Sequence, residues 1–426
     1  GWKQMLYLTA TGRNDWASQI AGSPSKSFFY PSVGLSWVPS STWDLGNAFS
    51  YLKLRGSIAS VGLPFPRFLT TPTYEYDATG KIWKDKTHYP IGDLKPERTI
   101  TYEVGIDARL WKNISLSASW YSADTKNQTF DPALPPSSSY TTIYLQTGHV
   151  RNTGVELSLG YSNQWRDFGW SSNFTFSWNK NEIIDLASGA LNPVTGQPLN
   201  LSELDIKGLG KAKYILKQGG TLGDLYTTSD LKFNDNGYVE VDKAGNLLLT
   251  DEGDQIYLGS VFPSENLAWR NDFRYKGINL GLLFTGRIGG ICYSATQANM
   301  DLYGVSEVSA AARDAGGVLI NGREMVDAQK WYQAIGSQSG LPQYYTYSAT
   351  NFRLQELSLG YTLPRKWFRN KMGLTVSFVG RNLWMIYCKA PFDPEAVAST
   401  GLSYQGIDYF MMPSLRSLGF NVKFEF

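Results

Sequence analysis

The chain has 426 residues, of which 42% are hydrophobic and 14% aromatic, and its formal net charge is +2. It has no continuous apolar run of about 18 residues, which excludes transmembrane helices, and its near-neutral charge argues against a dedicated nucleic-acid surface. Its two cysteines and two histidines are too few for a disulfide scaffold and for most metal or catalytic-triad chemistry.

Alternation of apolar and polar residues recurs along the whole chain and predicts about twelve β-strands with two different faces. Each is about ten residues long or slightly longer, which suits a strand that crosses a membrane at a tilt. In the last of them Leu418, Phe420, Val422, Phe424 and Phe426 share one face, and the residues between are polar or glycine. In chain order the predicted strands are 3–14, 28–39, 50–60, 98–111, 113–125, 150–162, 168–182, 265–276, 277–289, 351–363, 373–384 and 415–426.

The predicted connections alternate between long and short. The long ones are 15–27, 61–97, 126–149, 183–264, 290–350 and 385–414, and the short ones are 40–49, the join around Lys112, 163–167, the join at 276–277 and 364–372. Outer-membrane barrels have long extracellular loops and short periplasmic turns, whereas a soluble β-sandwich has no reason to keep this alternation. We therefore predict an all-β fold, a transmembrane antiparallel β-barrel whose long connections face outward.

Tryptophan residues fall near the ends of the predicted strands. A membrane barrel has two aromatic belts, one at each membrane–water interface, where the strands end. Any Trp-rich protein, however, places some tryptophans at strand ends. Those at or beside the short turns are Trp37, Trp43, Trp111, Trp165, Trp170 and Trp367. Those near the opposite ends are Trp16, Trp120, Trp178 and Trp384. The distribution favours a membrane belt at each end of the barrel.

The long connection 290–350 carries an aromatic cluster and two candidate helices, at 306–313 and 323–335. Flat aromatic faces suit sugar rings, peptide side chains or a protein partner, and the alternative is packing inside the loop itself. The candidate contact residues are Trp331, Tyr332, Tyr344, Tyr345 and Tyr347. Trp83, with several tyrosines around it in the connection 61–97, is a further candidate.

The segment 233–238 resembles a calcium-binding loop. Aligning Gly237 with the loop glycine puts Lys232 at the first ligand position and Lys243 at the last, where calcium requires oxygen atoms. A solvated turn is the better interpretation, and the acidic segment 251–254 is interpreted as a solvated loop in the same way. The sequence therefore predicts no metal site and no cofactor.

The cysteines and histidines offer little chemistry. Cys292 and Cys388 both follow strands that run to the outer rim, but one strand separates those two strands, so only loop folding would allow a disulfide. Hydrolases of the outer membrane need a base, usually histidine, and neither His88 nor His149 has a recognisable serine or aspartate motif beside it. We expect no enzymatic activity, and the pairing of the cysteines stays open.

Several short motifs, in this order over nearly the whole chain, resemble those of SusC/RagA-type TonB-dependent transporters of Bacteroidetes. Each motif is weak alone, and their order makes the set specific. They are LTATGRNDW at 8–16, FYPSVGLSW at 29–37, LKPE at 94–97 followed by YEVG at 102–105, NTGVEL at 152–157, GDLY at 223–226, LSLGYTLP at 357–364, GRNL at 380–383 and the closing segment 413–426.

The resemblance implies a barrel of about 22 strands filled by an N-terminal plug. Residues 1–426 would then form the C-terminal part of its wall, with the plug, the energy-coupling TonB box and roughly ten strands upstream. The start at Gly1-Trp2-Lys3, with no signal peptide, leads us to expect a fragment, a processed product or one chain of a split protein. Twelve strands are not expected to close on their own.

The resemblance also implies partners and a function. Such transporters import oligosaccharides or oligopeptides across the outer membrane, with a SusD-like surface lipoprotein as a lid and TonB acting on the plug. The terminal aromatic Phe426 resembles the strand signal read by the insertion machinery. The alternatives are a self-contained smaller outer-membrane channel or enzyme, or a soluble β-rich adhesin.

Overall fold

The computed structural model describes residues 1–67, 69–70, 74–85, 88–89, 91–92, 94–130, 140, 142–186, 197, 201–251, 253, 255–401 and 404–426. Its main feature is one antiparallel sheet of twelve strands, in which each strand pairs with its neighbours in the chain. The strands are β1 Leu6–Asp15, β2 Phe28–Trp37, β3 Phe49–Leu63, β4 Glu97–Leu110, β5 Ile114–Phe130, β6 Leu145–Trp165, β7 Phe168–Asp185, β8 Glu265–Tyr275, β9 Ile278–Ile288, β10 Asn351–Leu363, β11 Gly373–Cys388 and β12 Ser417–Glu425. The predicted number, order and approximate position of the strands are confirmed.

The sheet is open, with β1 and β12 as its two edges in the described chain. An open edge leaves a row of unpaired backbone groups, which water can satisfy but hydrocarbon cannot. The expectation that these strands would not close among themselves is therefore met, and a self-contained twelve-stranded barrel is not what the chain forms.

The register keeps the two faces of the sheet distinct. On one face Leu359 of β10 is opposite Phe378 of β11, which in turn is opposite Phe420 of β12. One position along, Ser377 is opposite Asn421 on the other face. Because a one-residue slip would exchange the two faces, the alternating pattern specifies this register strongly. One face is thus apolar and suited to lipid, and the other is polar.

Five strands are longer than predicted, namely β3, β5, β6, β7 and β11, and three of these show why. β5 extends to Phe130, β6 begins at Leu145, and β7 extends to Asp185. The alternation fades in these extensions because both faces are covered there: Phe130, Leu145 and Ile183 are buried in the core formed by the long connections. Tertiary packing rather than pattern sets these strand ends.

The short turns have the backbone geometry that tight hairpins require. At the turn between β8 and β9, Lys276 and Gly277 both have positive φ, at 47° and 91°. Two such residues form a type I′ turn, whose twist matches that of the flanking strands. The next pair, Tyr275 and Ile278, already belongs to the ladder. Turns of this kind confine the short connections to one end of the sheet.

Aromatic side chains line the apolar face near the short turns. Trp37 packs edge-on against Trp43 with ring centroids 5.4 Å apart, and Trp170 stacks on Phe273 at 6.2 Å. Further up the wall, Trp120 and Trp178 lie in one row, since both are opposite Val155. β5 and β7 continue beyond that row. Two aromatic levels are therefore present on this part of the wall.

The long connections, L1 to L6, contain most of the remaining structure; they are residues 16–27, 64–96, 131–144, 186–264, 289–350 and 389–416. The helices of L5 are α1 Ala295–Leu302, α2 Glu307–Asp314 and α3 Ala328–Ile335. The short strands are Tyr74–Asp77, Ile82–Asp85, His88–Tyr89, Thr142–Ile143, Glu203–Leu209, Ala212–Lys217, Asp224–Thr227, Ile256–Ser260, Ile291–Ser294, Val318–Ile320, Glu324–Val326, Thr346–Ser348 and Ile407–Asp408. Single 3₁₀ turns lie at Ser18–Ile20, Pro39–Ser41, Pro342–Tyr345 and Arg365–Phe368.

The helices differ in part from the prediction. α2 is where it was expected, with Ser306 as its N-cap. α3 starts only at Ala328, because Glu324–Val326 is a strand and the carboxylate of Asp327 caps the helix by accepting from the backbone N–H groups of Gln329 and Lys330. α1 was not predicted. No helix in the described part of the chain is long and apolar enough to cross a membrane.

Candidate functional site: the body formed by the long connections

L3, L4, L5 and L6 share one hydrophobic core, which we call the loop body. Its buried residues come from every one of these connections, for example Ile143 of L3, Leu225 of L4, Tyr293 of L5 and Ile407 of L6. A second, smaller core joins L1 and L2 through Ile20, Phe65, Leu69 and Leu94. Segments held by a common core behave as packed structure, so the long connections present a shaped surface rather than separate loose loops.

A short ladder at the centre of the loop body joins L5 to L6. Strand Ile291–Ser294 lies between Thr346–Ser348 and Ile407–Asp408. The hydroxyl of Ser294 donates to the carboxylate of Asp408 at 2.6 Å and accepts from the backbone N–H of Gln297 at 3.0 Å. The same serine therefore caps α1 and links it to L6.

A buried ion pair holds L6 to the wall. Arg353 of β10 donates two hydrogen bonds to the carboxylate of Asp393, at 2.9 and 3.0 Å, and also to the side-chain carbonyl of Asn351. The side chains of Arg353 and Asp393 are only 4% and 10% exposed. Although burial opposes it, the bonds from Arg353, Ser414 and the Glu395 N–H hold the pKa of Asp393 below its usual value.

L4 is tied to L5 by polar contacts. The side chain of Asn321 accepts from the N–H of Val239 at 2.8 Å and donates to its carbonyl at 3.0 Å. The ammonium of Lys330, in α3, donates to the carbonyl of Ala244. Gln343 donates to Asp230 at 2.8 Å. These bonds fix the meander at 230–250 against the helices of L5.

The predicted aromatic cluster comes together, but part of it points inward. Tyr332 and Tyr345 are buried in the core of the loop body, at 7% and 2% exposed. Trp331 is partly buried against the same core and meets Tyr344 edge-on, with centroids 6.1 Å apart. Tyr347 packs edge-on against Phe392. The alternative of internal packing thus describes two of the five residues, Tyr332 and Tyr345.

Tyr344 and Trp83 remain as exposed aromatics. Burial and the nearby Asp230 raise the pKa of the Tyr344 phenol to about 12, although the residue is 37% exposed. Trp83 is 68% exposed on the hairpin formed by Tyr74–Asp77 and Ile82–Asp85, and it leans on Tyr76 with centroids 5.2 Å apart. Contact with a ligand or partner stays a prediction for these two residues.

A buried carboxylate was missed by sequence reasoning. Asp301 lies in the last turn of α1, is 4% exposed, and accepts from the side-chain amide of Gln297 at 2.8 Å. Burial, and next the charge of Asp301, raise the pKa of the Tyr332, Tyr345 and Tyr347 phenols, so this carboxylate lies among three of the predicted aromatics. An aspartate in an unpredicted helix gives no sequence signal.

The segment that resembles a calcium loop forms a self-contained turn. The side-chain oxygen of Asn234 accepts from the N–H groups of Asn236 and Tyr238, at 3.0 and 3.1 Å. Lys232 pairs with Glu240 at 3.2 Å. Within the described residues no group of three or more His, Cys, Asp or Glu side chains is arranged to hold a metal ion. In the acidic segment 251–254, Glu252 and Asp254 lie outside the described residues.

Cys292 and Cys388 are both free thiols that contribute to one small cluster with Ala349 and Ala390. Burial, followed by the nearby Cys388, raises the pKa of Cys292 to about 12, which suppresses thiolate reactivity. His149 and Arg151 both contact the Asp124 carboxylate, at 2.7 and 2.9 Å, so this histidine takes part in a cross-strand hydrogen-bonded cluster. Phe426 follows β12 at the open edge and is almost fully exposed.

Comparison with known proteins gives consistent matches. Residues 2–260 match the family model described as TonB dependent receptor-like, beta-barrel. TonB-dependent receptor P3 of Formosa agariphila is 25% identical over 453 aligned residues, which cover 98% of this chain and 44% of that protein. TonB-dependent receptor SusC of Bacteroides thetaiotaomicron is 20% identical over 343 residues, covering 78% of this chain and 32% of that protein.

Solved structures share the fold. The RagAB peptide importer in its closed-closed state superposes with a TM-score of 0.73 at 21% identity, covering 99% of this chain and 46% of that one. Its open-open state gives a TM-score of 0.70 at 20% identity. The chain thus spans under half the length of the curated relatives and structures that it matches.

Proposed function

The chain belongs to the TonB dependent receptor-like β-barrel family, and on that basis we propose that it forms wall and outer loops of an importer that takes up oligosaccharide or oligopeptide nutrients across the outer membrane. The observation that carries this proposal is the combination of a two-faced sheet with long connections at one end, four of which fold into one body. A lipid-facing wall and a shaped outer surface are what an importer of this family requires.

We assign residues 1–426 to the C-terminal part of the barrel wall, with a plug and further strands supplied by the rest of the protein. The coverage of 44–46% of the matched P3 and RagAB chains supports this division. The open edges at β1 and β12 support it as well, because both would need partner strands in hydrocarbon.

Two partners follow from the proposal. A SusD-like surface lipoprotein would cover the loop body, and TonB would act through the part of the protein outside this chain. Relatives named SusC and structures of RagAB, a peptide importer, support a surface partner and a nutrient cargo. The proposed import needs no cofactor and no covalent chemistry, because it consists of ligand binding followed by conformational change.

The exposed aromatics are the proposed contacts with lid or ligand. Trp83 and Tyr344 are accessible, and Trp331 packs edge-on against Tyr344. Tyr347 packs against Phe392, and Tyr332 and Tyr345 support the body from inside. Replacing the buried pair would disturb the loop body itself, so a clean test uses the exposed residues only.

The test compares two exposed tryptophans at opposite ends of the wall. Trp83→Ala, in L2, should weaken capture of the surface lipoprotein or uptake of the nutrient, because aromatic anchors often contribute about 2 kcal/mol or more to an interface. Trp367, 63% exposed beside a short turn, is the matched control, and Trp367→Ala should leave both unchanged. Uptake should also stop when a protonophore removes the proton-motive force.

Surface abundance of each variant is measured alongside. Uptake that persists in the presence of the protonophore at equal abundance would contradict TonB-dependent import. Equal capture and uptake in both tryptophan variants would remove Trp83 from the contact surface.

A further inference from the structure

The three helices of L5 enclose a pocket of about 300 Å³, which we call the α1 pocket. Its wall includes Asp301 from α1, Arg313 from α2, and Gln329 and Tyr332 from α3. A pocket of this size is at the lower end of ligand sites and suits a group no larger than about one amino-acid or sugar residue. Its polar groups converge from three separate helices.

Asp301 gives the pocket an unmatched negative charge. The residue is only 4% exposed, and its neighbours are neutral: the Gln297 amide donates to it at 2.8 Å, and the Tyr345 phenol lies beside it. Among the described residues, no Lys, Arg or His forms an ion pair with Asp301. A carboxylate that loses its water without gaining a cation is strongly destabilised.

The position of Asp301 in α1 adds to this imbalance. The C-terminus of a helix carries partial negative charge and favours cations. α1 instead carries Asp301 in its last turn and has no basic residue there. The carboxylate and the helix end therefore both favour a cation at the floor of the pocket.

Arg313 does not supply that cation. Its guanidinium donates to the carbonyl of Gly304 at 2.7 Å, and the residue stands exposed at the rim. Together with the Gln329 amide it provides hydrogen-bond donors for an oxygen atom at the mouth of the pocket. The arrangement is therefore acidic at the floor and donor-rich at the rim.

We propose that the α1 pocket binds a primary ammonium group, with the Asp301 carboxylate as its counter-charge and a neighbouring ligand oxygen at Gln329 or Arg313. The biological meaning rests on the proposed function, because the ammonium would belong to the imported nutrient. A peptide amino terminus and an amino sugar both offer this chemistry. A neutral glycan offers none of it.

The test measures binding by calorimetry to the full-length protein that contains this chain, purified in detergent. Trialanine and glucosamine are each compared with their N-acetylated forms. At least one free amine should bind on the order of tenfold more tightly than its acetylated form, because a hydrogen-bonded charge pair is lost on acetylation. The amine that binds identifies the source of the ammonium.

Variants locate the site. Asp301→Asn keeps the shape and should lower the affinity for the free amine about tenfold. Asp314→Asn is the matched control, because Asp314 ends α2, is exposed and lies outside the pocket wall. Gln329→Trp, which fills the mouth without touching the folded core, should abolish binding. Unchanged protease patterns establish that the variants are folded.

Equal binding of the free and acetylated forms, or no change in Asp301→Asn, would overturn the pocket assignment. Nutrient uptake separates this outcome from failure of the proposed function. If the protein binds amines through Asp301 but cannot take up nutrient, the pocket assignment stands and the import proposal fails. If the protein takes up nutrient but binds free and acetylated amines equally, the import proposal stands and the pocket assignment fails.

Discussion

The ion pair between Arg353 and Asp393 should decide whether L6 stays docked on the wall. Arg353→Ala removes two hydrogen bonds at 2.9 and 3.0 Å and leaves the Asp393 carboxylate, 10% exposed, without its cation. Breaking a buried pair in this way costs about 3–5 kcal/mol. If that cost falls on local opening of L6, its open fraction should rise by about a hundredfold to several thousandfold.

Trypsin cleavage measures this opening directly, because Lys389 and Arg416 stand at the two ends of L6. When opening is fast relative to cleavage, the cutting rate follows the open fraction. Arg353→Ala should therefore be cut much faster than wild type. The control Arg323→Ala removes a guanidinium that is 71% exposed and 3.9 Å from Glu324, and should have no effect at these sites.

Replacing both partners with apolar residues of similar size, as Arg353→Met with Asp393→Leu, should recover most of the protection, because no buried charge is then left unpaired. A cleavage rate for Arg353→Ala equal to that of Arg323→Ala would refute the reasoning.

The same pair gives a pH dependence. The folded-state pKa of Asp393 lies below its usual value, so its contribution is present above the ordinary aspartate pKa of about 4 and is lost as the pH falls through the folded value. L6 should become more sensitive to an acid-active protease only below about pH 4.

Three further predictions concern single residues. Deleting Phe426 should lower surface abundance while the inserted fraction keeps its melting temperature, because one phenylalanine contributes only about 1.5–3 kcal/mol; a lowered melting temperature at normal abundance would contradict this. Tyr293→Phe should be neutral or slightly stabilising in thermal melts, since its buried hydroxyl has no partner among the described residues. Gly277→Ala should reduce folding yield, as its φ is +91° and a Cβ would meet the Thr362 carbonyl oxygen at 2.8 Å; a normal yield would argue against the tight turn.

The twelve strands were predictable from sequence because one face of each meets an apolar environment and the other a polar one. The alternation that results is local, so Leu359 or Phe420 can be assigned without knowing what surrounds it. The same logic fails where both faces are covered, which is why the ends of β5, β6 and β7 were misplaced.

The loop body could be predicted only in outline. The residues of the aromatic cluster were identified, but Tyr332 and Tyr345 turned out to face inward, because their burial depends on α1 and on segments far away in sequence. α1 itself has a weak pattern, and Asp301 becomes notable only when α3 and Tyr345 close over it. Long-range packing of this kind leaves no local signal.

The orientation of the wall is the central claim, and cysteine labelling on intact cells tests it most directly. Cys292→Ala and Cys388→Ala first remove the native thiols. Lys243→Cys, exposed in L4, and Lys366→Cys, exposed in the short connection between β10 and β11, are then compared with a membrane-impermeant reagent. Labelling at 243 with protection at 366 until the cells are opened is the predicted result. Labelling at 366 with protection at 243 would contradict the account.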